Sequence, residues 1–177
     1  CFTLCLGQSD TDVQRLNKLG ALNPKNLGNL KFSAPPLPAD ADALNTLQSM
    51  IGNRSVFIAV STHSGEEEIV ATVHKNLKPK HPDLLTIIIP RHSTRGPEIL
   101  RAVKPIMMNS VLRSKDGLIT DLTDIYIADT MGELGLFYRL TEVVFMGKSL
   151  IPLGGQNPLE ALNLNCAVLH GPHMTNF

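Results

Sequence analysis

Gly154-Gly155-Gln156-Asn157-Pro158-Leu159-Glu160-Ala161 is the stretch whose residue types best suit an anion. It lies just beyond an apolar run, Val143-Val144-Phe145-Met146, and the residues Gly147, Lys148 and Ser149. Together these predict a buried strand, a glycine-rich turn, and a helix opening at Asn157 with Pro158 in its first turn, where a missing N–H costs nothing. Free N–H groups and the positive end of a helix dipole would face whatever docks above Gly154 and Gly155, and glycine would let that ligand approach the backbone closely. A plain strand-turn-helix joint would have a similar composition, so this stretch alone leaves both readings open.

Polar clusters rich in glycine and histidine recur elsewhere, each behind a short apolar run. Ser61-Thr62-His63-Ser64-Gly65-Glu66 follows the run 56–60, Arg91-His92-Ser93-Thr94-Arg95 follows 84–90, Asp129-Thr130-Met131-Gly132-Glu133-Leu134 follows 125–128, and His170-Gly171-Pro172-His173 follows 166–169. These runs do not alternate with polar residues and are separated by helical stretches, the pattern of a parallel sheet covered on both faces. The fold class is α/β, a Rossmann-like parallel sheet with helices on both faces. In such a sheet the carboxyl ends of the strands share one edge, so residues scattered over about a hundred positions would converge on one crevice. Ile106-Met107-Met108 is a further strand candidate, and Phe2-Thr3-Leu4-Cys5-Leu6 another near the start.

Ser9 with Asp12 three residues on predicts a capped helix ending at Leu19-Gly20. Ala34-Pro35-Pro36-Leu37-Pro38 reads as a linker, which divides the chain into residues 1–35 and 36–177. Beyond it Ala43, Leu44, Leu47, Met50 and Ile51 share one helical face, and Gly52 stops that helix. The 177 residues carry sixteen basic and sixteen acidic side chains and are 43% hydrophobic, enough for one well-buried core. That charge balance excludes nucleic-acid binding by charge alone. No apolar run approaches the roughly 20 residues of a membrane span. The chain opens on Cys1-Phe2-Thr3 with neither an initiator Met nor a leader, which reads as a soluble piece of a longer protein. Cys1 and Cys5 are spaced wrongly for a zinc ribbon and Cys166 sits in an apolar run, so reduced, structural cysteines in a cytoplasmic setting are expected.

Lys31-Phe32, Ser61-Thr62-His63-Ser64-Gly65-Glu66-Glu67, Pro90-Arg91-His92, Asp129-Thr130-Met131-Gly132-Glu133-Leu134, Gly154-Gly155-Gln156-Asn157-Pro158-Leu159-Glu160-Ala161 and Gly171-Pro172-His173 with Asn176-Phe177 occur in this order. In these blocks the chain resembles the Kdo transferases of lipopolysaccharide synthesis, which attach 3-deoxy-D-manno-octulosonic acid (Kdo) to a lipid A precursor from CMP-Kdo. The resemblance implies a GT-B glycosyltransferase, with residues 1–35 the end of the amino-terminal acceptor domain and 36–177 most of the nucleotide-sugar domain. It implies that the catalytic base, the acceptor site for the lipid A precursor and the membrane-associating surface belong to the amino-terminal domain, so the fragment alone would be inactive. The full-length enzyme would work at the cytoplasmic face of the bacterial inner membrane. By the same comparison Gly155, Gln156 and Asn157 would present N–H groups to the single phosphate of CMP-Kdo, with Lys148 or Ser149 close by. Glu160 would accept hydrogen bonds from the ribose, and Arg91 with Met131, Gly132 and Glu133 would frame cytosine and sugar. One phosphodiester needs no divalent metal when a helix N-terminus and a cation meet it, so no cofactor is expected. Lys148 departs from the small residue, often glycine, that the family's pattern suggests.

Each feature has a plainer reading. His63, His92, His170 and His173 lack a carboxylate at metal spacing and serve as polar caps as readily as ligands. Glu66-Glu67-Glu68 is most simply a solvated first helical turn that complements the dipole. Gly147-Lys148-Ser149 matches the end of a phosphate-binding P-loop, but that motif needs glycine at position 142, where Glu142 stands. Arg91 could pair with a carboxylate at the sheet edge, and Asp129 could cap the helix after it. Two other functions remain open: a GT-B transferase or epimerase using a uridine-nucleotide sugar, which would need more cations for its second phosphate, and a non-catalytic nucleotide-binding module.

Overall fold

The computed structural model describes residues 2–115, 117–175 and 177, so Cys1 and Asn176, both used above, lie outside the described residues. The chain divides into two compact units, Cys1–Pro35 and Pro36–Phe177. In the first, β1 (Leu6–Gly7) pairs in parallel with β2 (Lys25–Asn26), and α1 (Asp10–Lys18) lies between them in sequence. Ser9 caps α1 by accepting the Asp12 N–H, as its spacing predicts. The strand expected over 2–6 is confined to Leu6–Gly7, because its partner β2 is itself two residues long.

The second unit begins with α2 (Ala41–Ile51), which ends at Gly52 with φ +61°. Then follow β3 (Val56–Thr62), α3 (Glu66–Leu77), β4 (Leu85–Pro90), α4 (Gly96–Val103), β5 (Ser110–Leu112), β6 (Ile125–Ile127), α5 (Leu134–Tyr138), β7 (Val143–Met146), α6 (Leu159–Leu162) and β8 (Ala167–His170). The strands form one six-stranded sheet in the order β5-β6-β4-β3-β7-β8, and every pair is parallel.

The unbroken apolar runs are explained by the two cores they feed. Successive strand side chains point to opposite faces. Ile58, Val60, Leu85, Ile87, Ile89, Val144 and Met146 pack on one face with Leu47 and Ile51 of α2, Leu136, Phe137 and Tyr138 of α5, and Ala161 of α6. Ala59, Ile88, Ile125, Ile127 and Phe145 pack on the other with Val70 and Ala71 of α3 and Ile99 and Val103 of α4. Full burial of one such aliphatic side chain is worth about 1.5–3 kcal/mol, so the sheet is held from both sides. A charge at Ile87 or Ile88 would break it.

Three expectations about elements need correction. Residues 106–108 form no strand: the N–H groups of Ile106 and Met107 bond to Val103 O and close the end of α4. The edge strand is β5, which starts at Ser110, four residues further on than the expected start. The strand near 166–169 is β8, and it is not covered on both faces: Ala167, Leu169 and His170 are exposed, because β8 is the other edge of the sheet. The helix expected from Asn157 is α6, a single turn that starts at Leu159 with Pro158 as its N-cap.

Candidate functional site

Because all six strands run the same way, the segments after β3, β4, β6, β7 and β8 lie along one edge of the sheet. The register of β3 against β4 shifts between Val60 and Thr62, which makes Ser61 a bulge with φ +54°. Next to it a pocket of about 90 Å³ is lined by Ser61, Arg91, Thr130, Met131, Gly132, Glu133, Leu134 and Phe137, among others. The predicted residues Arg91, Met131, Gly132 and Glu133 are therefore brought together. A larger hollow of about 540 Å³ lies at the opposite edge, beside Arg54 and Arg139. Both of those guanidinium groups are engaged by backbone carbonyls, Arg54 by Asp83, Leu84, Thr120 and Thr123, and Arg139 by Leu37 and Gly135. The smaller pocket has the more available chemistry.

Arg91 is anchored by its own N–H to Thr62 O at 3.1 Å, while its exposed guanidinium has no partner among the described residues. The carboxylate pairing considered for it does not occur there. The wall opposite is braced from behind. Arg113 holds Glu133 through two hydrogen bonds of 2.8 and 2.6 Å, donates to the Tyr126 hydroxyl at 2.9 Å, and lies 5.6 Å from the Phe137 ring centroid. Thr130 donates to the same carboxylate. Burial works to raise the Glu133 carboxyl, but the hydrogen bonds from Arg113 and Thr130 outweigh it and hold the group below the ordinary carboxylate range. Glu133 therefore shapes the wall and does not offer a free acid. Gly132, at φ +81°, makes the turn that leaves Met131 75% exposed.

Asp129 does not cap α5. Its Oδ1 accepts the Ser114 N–H at 2.9 Å and its Oδ2 the Ser114 hydroxyl at 2.6 Å, which ties the segment after β5 to the end of β6. A Cβ at Gly96 would stand 2.2 Å from Asp129 Oδ2, so this acid is packed as well as bonded.

The glycine-rich stretch differs from expectation in several ways. Gly154 and Gly155 are left-handed, at φ +88° and +77°, but both are buried. A Cβ at Gly155 would meet Met174 Sδ at 2.3 Å, and the Gly155 N–H already donates to Lys148 O at 2.9 Å. The close approach that requires glycine is thus by the chain's own 171–174 segment, and Gly155 presents no free N–H. Ser149 is fully buried; its hydroxyl donates to Met146 O and accepts the Gly171 N–H at 2.8 Å, so it is unavailable to a phosphate. The one-turn α6 brings little dipole, since a macrodipole needs several aligned turns.

What remains for a ligand is specific. The Gln156 and Asn157 N–H groups have no partner among the described residues, while the Asn157 side chain accepts the Leu159 N–H at 3.2 Å. Half-buried Glu160 has no hydrogen-bond partner among them either. Burial pushes the Tyr138 hydroxyl far up, with the charge of Glu160 adding to it, which puts that carboxylate in the neighbourhood of α5. The Lys148 ammonium is also without a partner among the described residues, on a backbone at φ +61°. None of residues 148–160 lines the pocket of Arg91; the two groups share the sheet edge.

The acidic run after β3 is not a solvated turn. Glu66 and Glu67 are 0% and 1% exposed. Glu67 accepts the Thr62 hydroxyl at 2.9 Å and Arg95 at 2.7 Å, while Glu66 accepts four backbone N–H groups. Helix-dipole reasoning missed them because the partners that bury them, Arg95 and the N–H groups of 148–150, are far away in sequence. Two acids directly behind a strand end were the available signal, whereas nothing near Arg113 announced its role. His63 and His92 stand edge to face with ring centroids 6.4 Å apart, and His63 Nδ1 lies 3.1 Å from Ser61 O. Cys5 and Cys166 are free thiols. Among the described residues no helix is long and apolar enough to cross a membrane.

No family model matches the chain. Among solved structures it is similar to the C-terminal CMP-Kdo binding domain of WaaA from Acinetobacter baumannii, with a TM-score of 0.69 and 34% identity over 77% of this chain and 72% of that one. Sheet, helices and edge crevice together define the Rossmann-like carboxyl-terminal domain of a GT-B glycosyltransferase. Among curated sequences it is 37% identical over 174 residues to the 3-deoxy-D-manno-octulosonic acid transferase of Rickettsia felis, covering 98% of this chain and 37% of the relative. It is likewise 37% identical to the enzyme of the same name from Haemophilus influenzae, covering 99% of this chain and 42% of that relative. The chain belongs to the Kdo transferase family and spans about two-fifths of the length of these curated relatives.

Proposed function

We propose that this chain is the CMP-Kdo-binding part of a Kdo transferase that modifies a lipid A precursor in lipopolysaccharide core synthesis. The observation that carries the reading is the Arg91 guanidinium, without a partner among the described residues, beside the braced Met131-Gly132-Glu133 turn, in a pocket at the carboxyl edge of a parallel sheet. At about 90 Å³ that pocket is well below the roughly 300–1,000 Å³ of a complete ligand site. It takes the cytosine end, and the rest of the donor runs along the open edge. Arg91 provides positive charge, the Gln156 and Asn157 N–H groups with Lys148 meet the phosphate, and Glu160 accepts from the ribose hydroxyls. A single phosphodiester is neutralised by these groups without a divalent metal.

In this reading residues 1–35 close the acceptor domain and 36–177 are the donor domain. The catalytic base, the acceptor site and the membrane-associating surface lie outside the chain. The fragment binds donor and does not transfer sugar alone, and the whole enzyme acts at the cytoplasmic face of the inner membrane. An NMR titration of the chain with CMP, UMP and UDP, followed at Arg91, Gly132 and Asn157, tests this. Preferential shifts with CMP are expected. A preference for UDP would reassign the chain to the uridine-nucleotide enzymes of the same fold, and no response to any of the three would overturn the nucleotide site.

A further inference from the structure

The most complete polar arrangement at the crevice belongs to a residue that the proposed donor contacts do not use. Glu66, at the start of α3, is fully buried. Its Oε2 accepts the N–H groups of His63 at 2.9 Å and Lys148 at 2.7 Å, and its Oε1 those of Ser149 at 3.1 Å and Leu150 at 3.0 Å. Three consecutive backbone N–H groups converging on one anion form a nest of the kind that commonly holds phosphate. Here the anion is the chain's own carboxylate. The nest is filled, and its negative charge turns a phosphate away from the backbone N–H groups of Lys148, Ser149 and Leu150.

The segment it fills is the platform for the rest of the site. Lys148 O accepts the Gly155 N–H at 2.9 Å, Ser149 O accepts the His173 N–H at 3.0 Å, and the Ser149 hydroxyl accepts the Gly171 N–H at 2.8 Å. Gly155 leads directly into Gln156, Asn157 and α6. Glu66 also reaches back to His63, so one carboxylate ties the loop after β7 to the loop after β3, its neighbour in the sheet. We infer that Glu66 is a positioning residue for the phosphate half of the donor site: it touches no ligand, and by filling the 148–150 nest it fixes where the Gln156 and Asn157 N–H groups stand. This rests on the CMP reading above.

Glu66→Gln is the informative variant, because the amide has a single acceptor oxygen and would turn its NH₂ toward two N–H donors. Affinities of the parent and E66Q for CMP and for cytidine, which lacks the phosphate, are compared by NMR titration, with amide hydrogen exchange on both proteins. In E66Q the Lys148, Ser149 and Leu150 amides lose protection while β4 and the core of β7 keep theirs. CMP binds about tenfold more weakly, and cytidine binds as it does to the parent. A merely structural role would lower both affinities together, so an unchanged CMP-to-cytidine ratio overturns the inference. The parent alone gives a second test should E66Q not fold. CMP should shift the Gln156 and Asn157 amides and leave those of Lys148, Ser149 and Leu150 in place; large downfield shifts at the latter three would mean that phosphate occupies the nest, which also overturns it. A parent that binds cytidine and CMP nowhere sinks the donor reading itself, an outcome distinct from CMP binding that ignores Glu66.

Discussion

Gly147 separates β7 from the loop that Glu66 holds, and replacing it with alanine would test the geometry of the crevice directly. A Cβ at Gly147 would lie 2.5 Å from Ser61 O, 2.6 Å from Thr62 Cα and 2.7 Å from Ser61 C, all of them backbone atoms of the β3 bulge. Ordinary contact begins at 3.4 Å, so the two segments must part by 3.4 − 2.5 = 0.9 Å. The Gly147 N–H bond to Val60 O, 2.8 Å long, cannot survive that displacement unbent. Overpacking against rigid neighbours costs about 1–3 kcal/mol, and a weakened ladder bond adds about 1 kcal/mol. Gly147 is not left-handed, so alanine also recovers about 0.4–1 kcal/mol by restricting the unfolded chain. The net loss is about 1–3.5 kcal/mol, with about 2–4 °C of melting temperature for each kcal/mol in a chain of this size. Urea unfolding followed by circular dichroism measures the loss. Because Ser61 lines the Arg91 pocket, CMP affinity should fall with it. A Gly147→Ala protein with the parent's unfolding midpoint and the parent's CMP affinity would refute the packing argument and its link to the site together.

Glu160→Ala removes a carboxylate with no hydrogen-bond partner among the described residues, so stability should stay within about 0.5 kcal/mol while CMP affinity falls about tenfold through lost charge-assisted hydrogen bonds; equal affinity by calorimetry would remove the ribose role. Lys148→Gly relieves a left-handed backbone worth about 1 kcal/mol but frees the unfolded chain by a similar amount. Its urea midpoint should therefore barely move, while CMP binding weakens about fivefold with the loss of one half-buried charge; unchanged binding would show that the ammonium does not meet the phosphate. His74 is fully buried in α3 with Nδ1 2.8 Å from Thr86 Oγ1 and Nε2 without a hydrogen-bond partner among the described residues, 3.8 Å from Asp124 Oδ1, and burial holds its pKa below the usual 6.5 despite that carboxylate. The unfolded chain then takes up a proton that the folded one refuses, so stability is full above about pH 6.5 and falls as the pH drops below it, by at most about 1.4 kcal/mol per unit. Urea melts from pH 7.5 to 5.5 should show a shallower slope for His74→Gln, and identical slopes would refute the assignment.

The sheet was legible because burial on both faces writes itself as unbroken apolar runs, and β3, β4, β6 and β7 are such runs. β5 was not, since a three-residue strand beginning with Ser110 is too short and too polar to stand out beside Ile106-Met107-Met108. Arg91 could be picked out as a candidate from its place directly behind β4, whereas Glu160 was singled out only by the family resemblance; neither side chain has a hydrogen-bond partner among the described residues. What escaped was everything decided by distant backbone. Glu66 looks like a helix-dipole complement until the N–H groups 82 to 84 residues away come into reach. Gly155 looks like a ligand cradle until Met174 fills the space over it. Neither relation has a local signature, because composition reports what a side chain can do and only the tertiary fold decides which partner reaches it first.

That priority explains why the crevice can be both rigid and receptive. A site built from unsatisfied groups throughout would collapse onto itself or scatter among conformers, since each buried polar atom without a partner costs about 1–3 kcal/mol. Here the groups that set distances are satisfied internally: Glu66 by four N–H donors, Glu67 by Thr62 and Arg95, Glu133 by Arg113 and Thr130, and Asp129 by Ser114. The groups left over, Arg91, Lys148, Glu160 and the N–H pair of Gln156 and Asn157, are exposed or half-buried, where water satisfies them until a ligand arrives. On the proposed reading, donor binding replaces water on that internally satisfied frame, the condition under which a few hydrogen bonds translate into affinity. Glu66 and Glu67, which sequence reasoning set aside as a solvated turn, are thus satisfied by the chain itself, and the charges it singled out at Arg91 and Glu160 are the ones without a hydrogen-bond partner among the described residues.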